Sequence, residues 1–184
     1  GTRFPDAASR AIRGAHFGAA VPDADRQRLE RIAERHGVVV ADLVAAPVRC
    51  PRTGVVKEFC RFTFPSWVNI IATTASDELV LIRQYRFGTN RMEIEIPGGA
   101  VNAGADPLAA GLRELLEETG YGGDGGRIIG KVCPNPAIQD NFCYTVLVEN
   151  ARRIAEPQQD EMEDIEVMAV PQWEVETLLN KGAI

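Results

Sequence analysis

Between Asp106 and Gly120 the chain places three glutamates, Glu114, Glu117 and Glu118, in one short stretch. A helical turn of about 100° per residue would set Leu108, Leu112 and Leu115 on one face and these carboxylates on another. Like charges at the spacing of Glu114 and Glu118 cost a helix roughly 0.2–0.5 kcal/mol, so concentrating them calls for an offsetting partner. Arg113, one turn before Glu117, supplies one positive charge. Two readings are open at this point. The stripe can be a solvated acidic face, or it can hold a hard cation, since Mg²⁺ prefers carboxylate oxygens, keeps several waters and bridges to phosphates. Only the flanking sequence separates them.

The elements that must position these residues are legible to different degrees. Asp106-Pro107 opens the helix with a capping carboxylate and a proline that loses no needed donor, and Gly120 closes it, giving a helix over Asp106–Thr119. Asp23–His36 reads as an earlier helix after Pro22 and before Gly37. Pro47–Cys50 and Val55–Phe64, joined by Pro51-Arg52-Thr53-Gly54, read as a hairpin. Strands are expected over Trp67–Thr74, Leu79–Tyr85, Met92–Ile96, Arg127–Val132, Asn141–Val148 and Glu163–Val170, with Pro97-Gly98-Gly99 as a loop and a closing helix over Pro171–Lys181. Interspersed strands and helices make the fold α/β or α+β, with one mixed sheet covered by helices. Trp67 and Tyr85 sit in apolar strand runs and read as core rather than as surfaces for a base.

With 184 residues, 45% hydrophobic and 25% charged, the chain suits one compact domain with a real core. No apolar run reaches the about 18 residues that a membrane-spanning helix needs, and no basic-then-apolar leader opens the chain, so a soluble, cytoplasmic protein is expected. Gly1 in place of Met suggests a processed chain. A net charge of −6 and a pI of about 5.0 argue against a nucleic-acid surface, which needs clustered Lys and Arg. A polyanionic substrate would therefore have to be met by recruited cations. Cys50, Cys60, Cys133 and Cys143 form no C-x-x-C pair, so a structural zinc site is not expected; they read as reduced, mostly buried thiols.

The stretch Gly99-Ala100-Val101-Asn102-Ala103-Gly104-Ala105, leading through Arg113-Glu114-Leu115-Leu116-Glu117-Glu118-Thr119-Gly120-Tyr121, resembles the Nudix box. Every defining position matches except Ala105, which stands where the family has its first glutamate, with Asp106 following. The resemblance implies an α/β/α sandwich, a mixed β-sheet flanked by helices, in which the box forms loop, helix and loop. It implies Mg²⁺, or Mn²⁺, as cofactor, with Glu114 and Glu118 as principal ligands and Glu117 as a further ligand or water holder. The Gly98 backbone carbonyl would add a ligand, and Arg113 would orient the acidic cluster.

Outside the box, Arg83-Gln84-Tyr85-Arg86 and Glu93-Ile94-Glu95-Ile96-Pro97-Gly98-Gly99 resemble segments of the ADP-ribose and nucleoside diphosphate sugar pyrophosphatase branch. That likeness implies that Arg86 contacts the diphosphate and that Glu95 lies near the metals. A surface salt bridge for Arg86 and an exposed strand position for Glu95 are the plain alternatives. Asp160-Glu161-Met162-Glu163-Asp164-Ile165-Glu166-Val167 looks like the acidic segment from which such enzymes take the carboxylate that deprotonates the attacking water, with Glu163 the first choice and Glu161 the second. Residues 46–184 would form the Nudix hydrolase domain and residues 1–45 an N-terminal extension that helps build a homodimer. The chain stops at Gly182-Ala183-Ile184, where relatives often continue into more helix.

The expected activity is Mg²⁺-dependent hydrolysis of a nucleoside diphosphate sugar such as ADP-ribose, a small-molecule partner with no nucleic acid and no membrane involved. Two rivals stand beside it. One is a Nudix hydrolase for another nucleotide, such as a dinucleoside polyphosphate, a coenzyme or a damaged nucleotide. The other is a non-catalytic domain that binds a nucleotide sugar, which the loss at Ala105 makes thinkable.

Overall fold

The computed structural model describes residues 42–159 and 163–184. The helix expected over Asp23–His36, the bulk of the extension at residues 1–45 with its dimerisation role, and Glu161 lie outside the described residues. The described chain forms two compact units.

In the first unit β1 (Asp42–Arg49) and β2 (Val56–Thr63) pair antiparallel from Asp42↔Thr63 to Arg49↔Val56, the hairpin that the turn chemistry of residues 51–54 predicts. Residues 133–141 belong to the same unit and run beside β2, where the Phe62 amide donates to the Ile138 carbonyl at 2.7 Å and the Thr63 hydroxyl to Asp140 at 2.9 Å. All four cysteines are free thiols, but only Cys143 is buried; Cys50 and Cys133 are half-buried and Cys60 is exposed. The expectation of mostly buried thiols fails, most clearly at Cys60, which lies on the part of β2 that is exposed from Val56 to Arg61.

The second unit carries the remaining elements: β3 (Ser66–Ala72), β4 (Glu78–Arg86), β5 (Arg91–Glu95), β6 (Gly98–Val101), α1 (Pro107–Thr119), β7 (Tyr121–Gly122), β8 (Arg127–Val132), β9 (Cys143–Val148), β10 (Arg152–Arg153), β11 (Ile165–Pro171) and α2 (Gln172–Asn180). The mixed sheet has the order β6-β3-β9-β8, with β3 and β9 parallel and the other pairs antiparallel. The strands do not all join it. A three-stranded antiparallel sheet, β11-β4-β5, stands separately, and β10 pairs with β7. The division arises after β3: Thr73 and Leu79 form one isolated bridge around the turn at Asp77, whose φ is 56°, and β3 and β4 then part.

Helix α1 packs on β3 and β6, and α2 lies against β11 and β4. Val68, Ile70, Val80, Leu115, Val146 and Val148 meet in one fully buried cluster, with Leu108 and Leu112 packed against it. The leucine face read from the sequence therefore faces the sheet. Asp106 caps the helix by accepting from the Leu108 and Ala109 amides at 3.4 and 3.1 Å. Gly120 ends it at φ 72°, a left-handed conformation that glycine adopts without cost. Among the described residues no helix is long and apolar enough to cross a membrane.

Candidate active site

The segment expected as a loop at Gly98-Gly99 is instead strand β6, pairing Gly99 with Val68 and Gly98 with Asn69. This strand brings the backbone against α1. A Cβ on Gly99 would sit 2.6 Å from either carboxylate oxygen of Glu114, so only a glycine leaves room for that side chain. The Gly98 amide donates to Glu118 Oε2 at 3.0 Å. Strand and helix thus place two glutamates of the stripe at the same wall.

Glu118 is 5% exposed, an unusual state for a carboxylate without a cationic partner bonded to it. Burial, opposed by the Gly98 amide and reinforced by the charges of Glu114 and Glu163, pushes its pKa up to about 8. Burial also raises Glu114, against the pull of Arg113. Arg113 bridges its neighbours: Nη2 lies 2.6 Å from Glu114 Oε1 and Nη1 lies 2.5 Å from Glu117 Oε2. Arg113 and Glu117 sit on the more exposed side of α1 and do not line the cleft.

The cleft has a volume of about 560 Å³, and Arg86, Gly98, Glu114, Glu118 and Glu163 all line it. Arg86 is held from β5 by a two-point fork to Glu95, with Nε to Oε1 at 2.7 Å and Nη2 to Oε2 at 3.0 Å, and this pairing raises its pKa. Glu95 itself does not line the cleft. Strand β11 begins at Ile165, later than expected, so Glu163 lies on the approach to the strand rather than within its alternation. Its charge nonetheless acts on Arg86, Glu114 and Glu118 together.

Several lining residues were not anticipated. Gln84, Phe87 and Gly88 come from β4 and the turn after it, and Gly99 and Ala100 from β6. Tyr85, expected in the core, is 38% exposed and meets Phe87 edge-on with ring centroids 5.3 Å apart. Position along β4 explains this: the strand's buried run covers Val80, Leu81 and Ile82, and its last turnward residues leave the packed region. A full alternation count over β4 could have flagged Gln84 as an inward polar residue.

Among the described residues, no three His, Cys, Asp or Glu side chains converge on one point as they stand. The site nevertheless fits a divalent cation. Its donors are carboxylate oxygens, the set that hard cations take, and burial raises the pKa of both Glu114 and Glu118 even with Arg113 paired to Glu114. The notch at Gly99 is shaped to admit one of those carboxylates.

The sequence profile of the NUDIX domain matches residues 63–183. An ADP-ribose pyrophosphatase of Bacillus subtilis is 33% identical over 132 residues, 71% of each chain. An ADP-sugar pyrophosphatase of Mus musculus is 31% identical over 107 residues, which cover 55% of this chain and 49% of the mouse protein. A crystal structure of an ADP compounds hydrolase superposes with a TM-score of 0.66 at 23% identity, covering 78% of this chain and 77% of the other, and carries the likeness of fold. With the profile spanning the cleft and both sheets, the chain belongs to the Nudix family and is a Nudix pyrophosphohydrolase.

Proposed function

We propose that this protein hydrolyses the diphosphate linkage of a nucleoside diphosphate sugar, ADP-ribose or a close analogue, in a Mg²⁺-dependent reaction that releases a nucleoside monophosphate and a sugar phosphate. The observation that carries the reading is the gathering of Glu114, Glu118, Glu163 and Arg86 around one cleft. The names of the Bacillus subtilis and mouse relatives, both pyrophosphatases of ADP-linked compounds, support the substrate class.

In this reading Glu114 and Glu118 hold the metal, the Gly98 carbonyl adds to them, and Glu117 is a further ligand or water holder. When bound, the cation neutralises charge on the diphosphate and lowers the cost of placing a water in line with the scissile bond. Arg113 orients Glu114 and Glu117 through its paired contacts. Arg86, its fork fixed by Glu95, meets the phosphate oxygens with the guanidinium edge that remains. Glu163 takes the proton of the attacking water; Glu161 is the second choice for that task. The new bond joins the water oxygen to phosphorus, and the bridging oxygen leaves with its electron pair on the other half of the substrate. A homodimer in the cytoplasm belongs to the same proposal and rests on the resemblance.

A panel of ADP-ribose, other diphosphate sugars, dinucleoside polyphosphates and coenzymes, assayed with Mg²⁺ for monophosphate product, tests it. The expected outcome is AMP from ADP-ribose or the matching monophosphate from another diphosphate sugar. Turnover of a different member of the panel moves the substrate assignment. Silence across the panel together with tight ligand binding replaces the enzyme with a binding domain.

A further inference from the structure

We propose that Gln84 is a substrate-holding residue of this cleft, its side-chain amide donating a hydrogen bond to a non-bridging oxygen of the bound diphosphate beside Arg86; the inference rests on the reading of the cleft given above. Along β4 the residues Val80, Ile82 and Gln84 share one face and are all buried, and Arg86 continues that face. The first two are aliphatic side chains of the core. The third is a primary amide, 6% exposed, and its Nε2 is buried with no hydrogen-bond partner.

A buried amide donor without a partner is costly, and a hydrocarbon of the same length would fill the space without that cost. The backbone cannot shift to relieve it, because Gln84 is registered with Ile165 on one side and Glu93 on the other, in the central strand of its sheet. The residue lines the cleft. There the Arg86 Nε and Nη2 are already engaged by Glu95, while Glu114, Glu118 and Glu163 contribute acceptors only. Gln84 is therefore an unpartnered donor in the wall of the cleft, two residues before Arg86 on the same strand face. An acceptor-rich, negatively charged ligand is the chemistry that completes it.

The test compares wild type with Gln84→Met, which keeps length and removes the donor. With ADP-ribose and Mg²⁺, the variant is expected to raise KM about tenfold while kcat stays within about twofold, the split for a contact made in ground and transition state alike. Metal-free Tm is expected to stay level or rise, since the unpartnered group is gone. A wild-type KM in Gln84→Met overturns the proposal, as does a loss confined to kcat, which would put the amide on the base instead of the substrate. A lower Tm accompanying the KM change also overturns it, because the amide would then be holding the strand. Gln84→Glu keeps the shape but turns an acceptor toward the phosphate; its KM is expected to exceed that of Gln84→Met, and a KM at or below wild type overturns the proposal. Wild type that cuts no diphosphate sugar defeats the reading of the cleft itself, whereas wild-type turnover with an unmoved Gln84→Met KM defeats only the role of Gln84.

Discussion

Glu118 combines two properties that ordinary surface carboxylates do not share: near-complete burial and a bond from a strand amide that fixes its direction. Burial favours its neutral form, so Glu118→Gln, which is neutral and of the same shape, is expected to leave Tm unchanged or higher in the metal-free protein. The same substitution removes a charge from the centre of the cleft and is expected to lower kcat by at least roughly a hundredfold. Near-wild-type turnover in that variant would remove Glu118 from the site. The role expected for Glu118 was legible from the box residues, but its burial was not, since an acidic stripe on an amphipathic helix reads as facing water. Gln84 was hidden for a related reason. Whether a buried amide finds a partner depends on side chains from β11, β5 and the cleft, none of them its sequence neighbours.

At the scale of elements, the site depends on how closely β6 approaches α1. Gly99→Ala places a methyl group where the Glu114 carboxylate lies, so the carboxylate must swing out or the strand must retreat. The expected result is a drop in turnover of about tenfold or more with the fold retained, the size of a small misplacement at the reacting centre. Unchanged kcat and KM in Gly99→Ala would mean that Glu114 has another resting place that serves equally well. The helix was readable because every signal is local: the Asp106-Pro107 start, the leucine face and the Gly120 stop. Strand β6 was not, because two glycines read as a turn and its partner, Val68-Asn69, lies far back in the chain. Strands β7 and β10, two residues each, leave no periodic trace at all. The separation into two sheets is likewise a matter of long-range pairing, while the choice of helices and strands around it was largely visible.

At the scale of the molecule, the charge balance sets how stability answers to pH. The net charge is −6, and two carboxyls in the cleft are raised in pKa by burial. For Glu118, with a folded pKa of about 8 against an ordinary 4.5, the folded chain binds more protons than the unfolded chain between those values. Its contribution to stability therefore falls as pH rises through that window and levels off above it. The Tm difference between metal-free wild type and Glu118→Gln is expected to widen in favour of the variant from about pH 5 to about pH 8. Added Mg²⁺, which binds the ionised carboxylates, is expected to raise the wild-type Tm most at the upper end of that range and the variant's much less. Parallel curves for the two proteins, with and without Mg²⁺, would detach Glu118 from both effects. The fold neighbour and the family profile agree on architecture, and the −6 balance is in keeping with the recruited cation proposed above for the diphosphate chemistry.

The hairpin turn from Phe87 to Asn90 has a consequence for how such a protein can diversify. Strand β4 is committed to ladders on both sides, so exchanging its inward residues disturbs two neighbours at once. The turn that follows is bound mainly to itself, through the Asn90 amide on the Arg86 carbonyl and the Tyr85 hydroxyl on Asn90, yet it holds Phe87 at the rim, 69% exposed. Changes in length or residue there are cheap for the scaffold and immediate for whatever rests on that rim. Drift in ligand preference among close homologues should therefore accumulate at this corner, leaving the acid-bearing helix untouched.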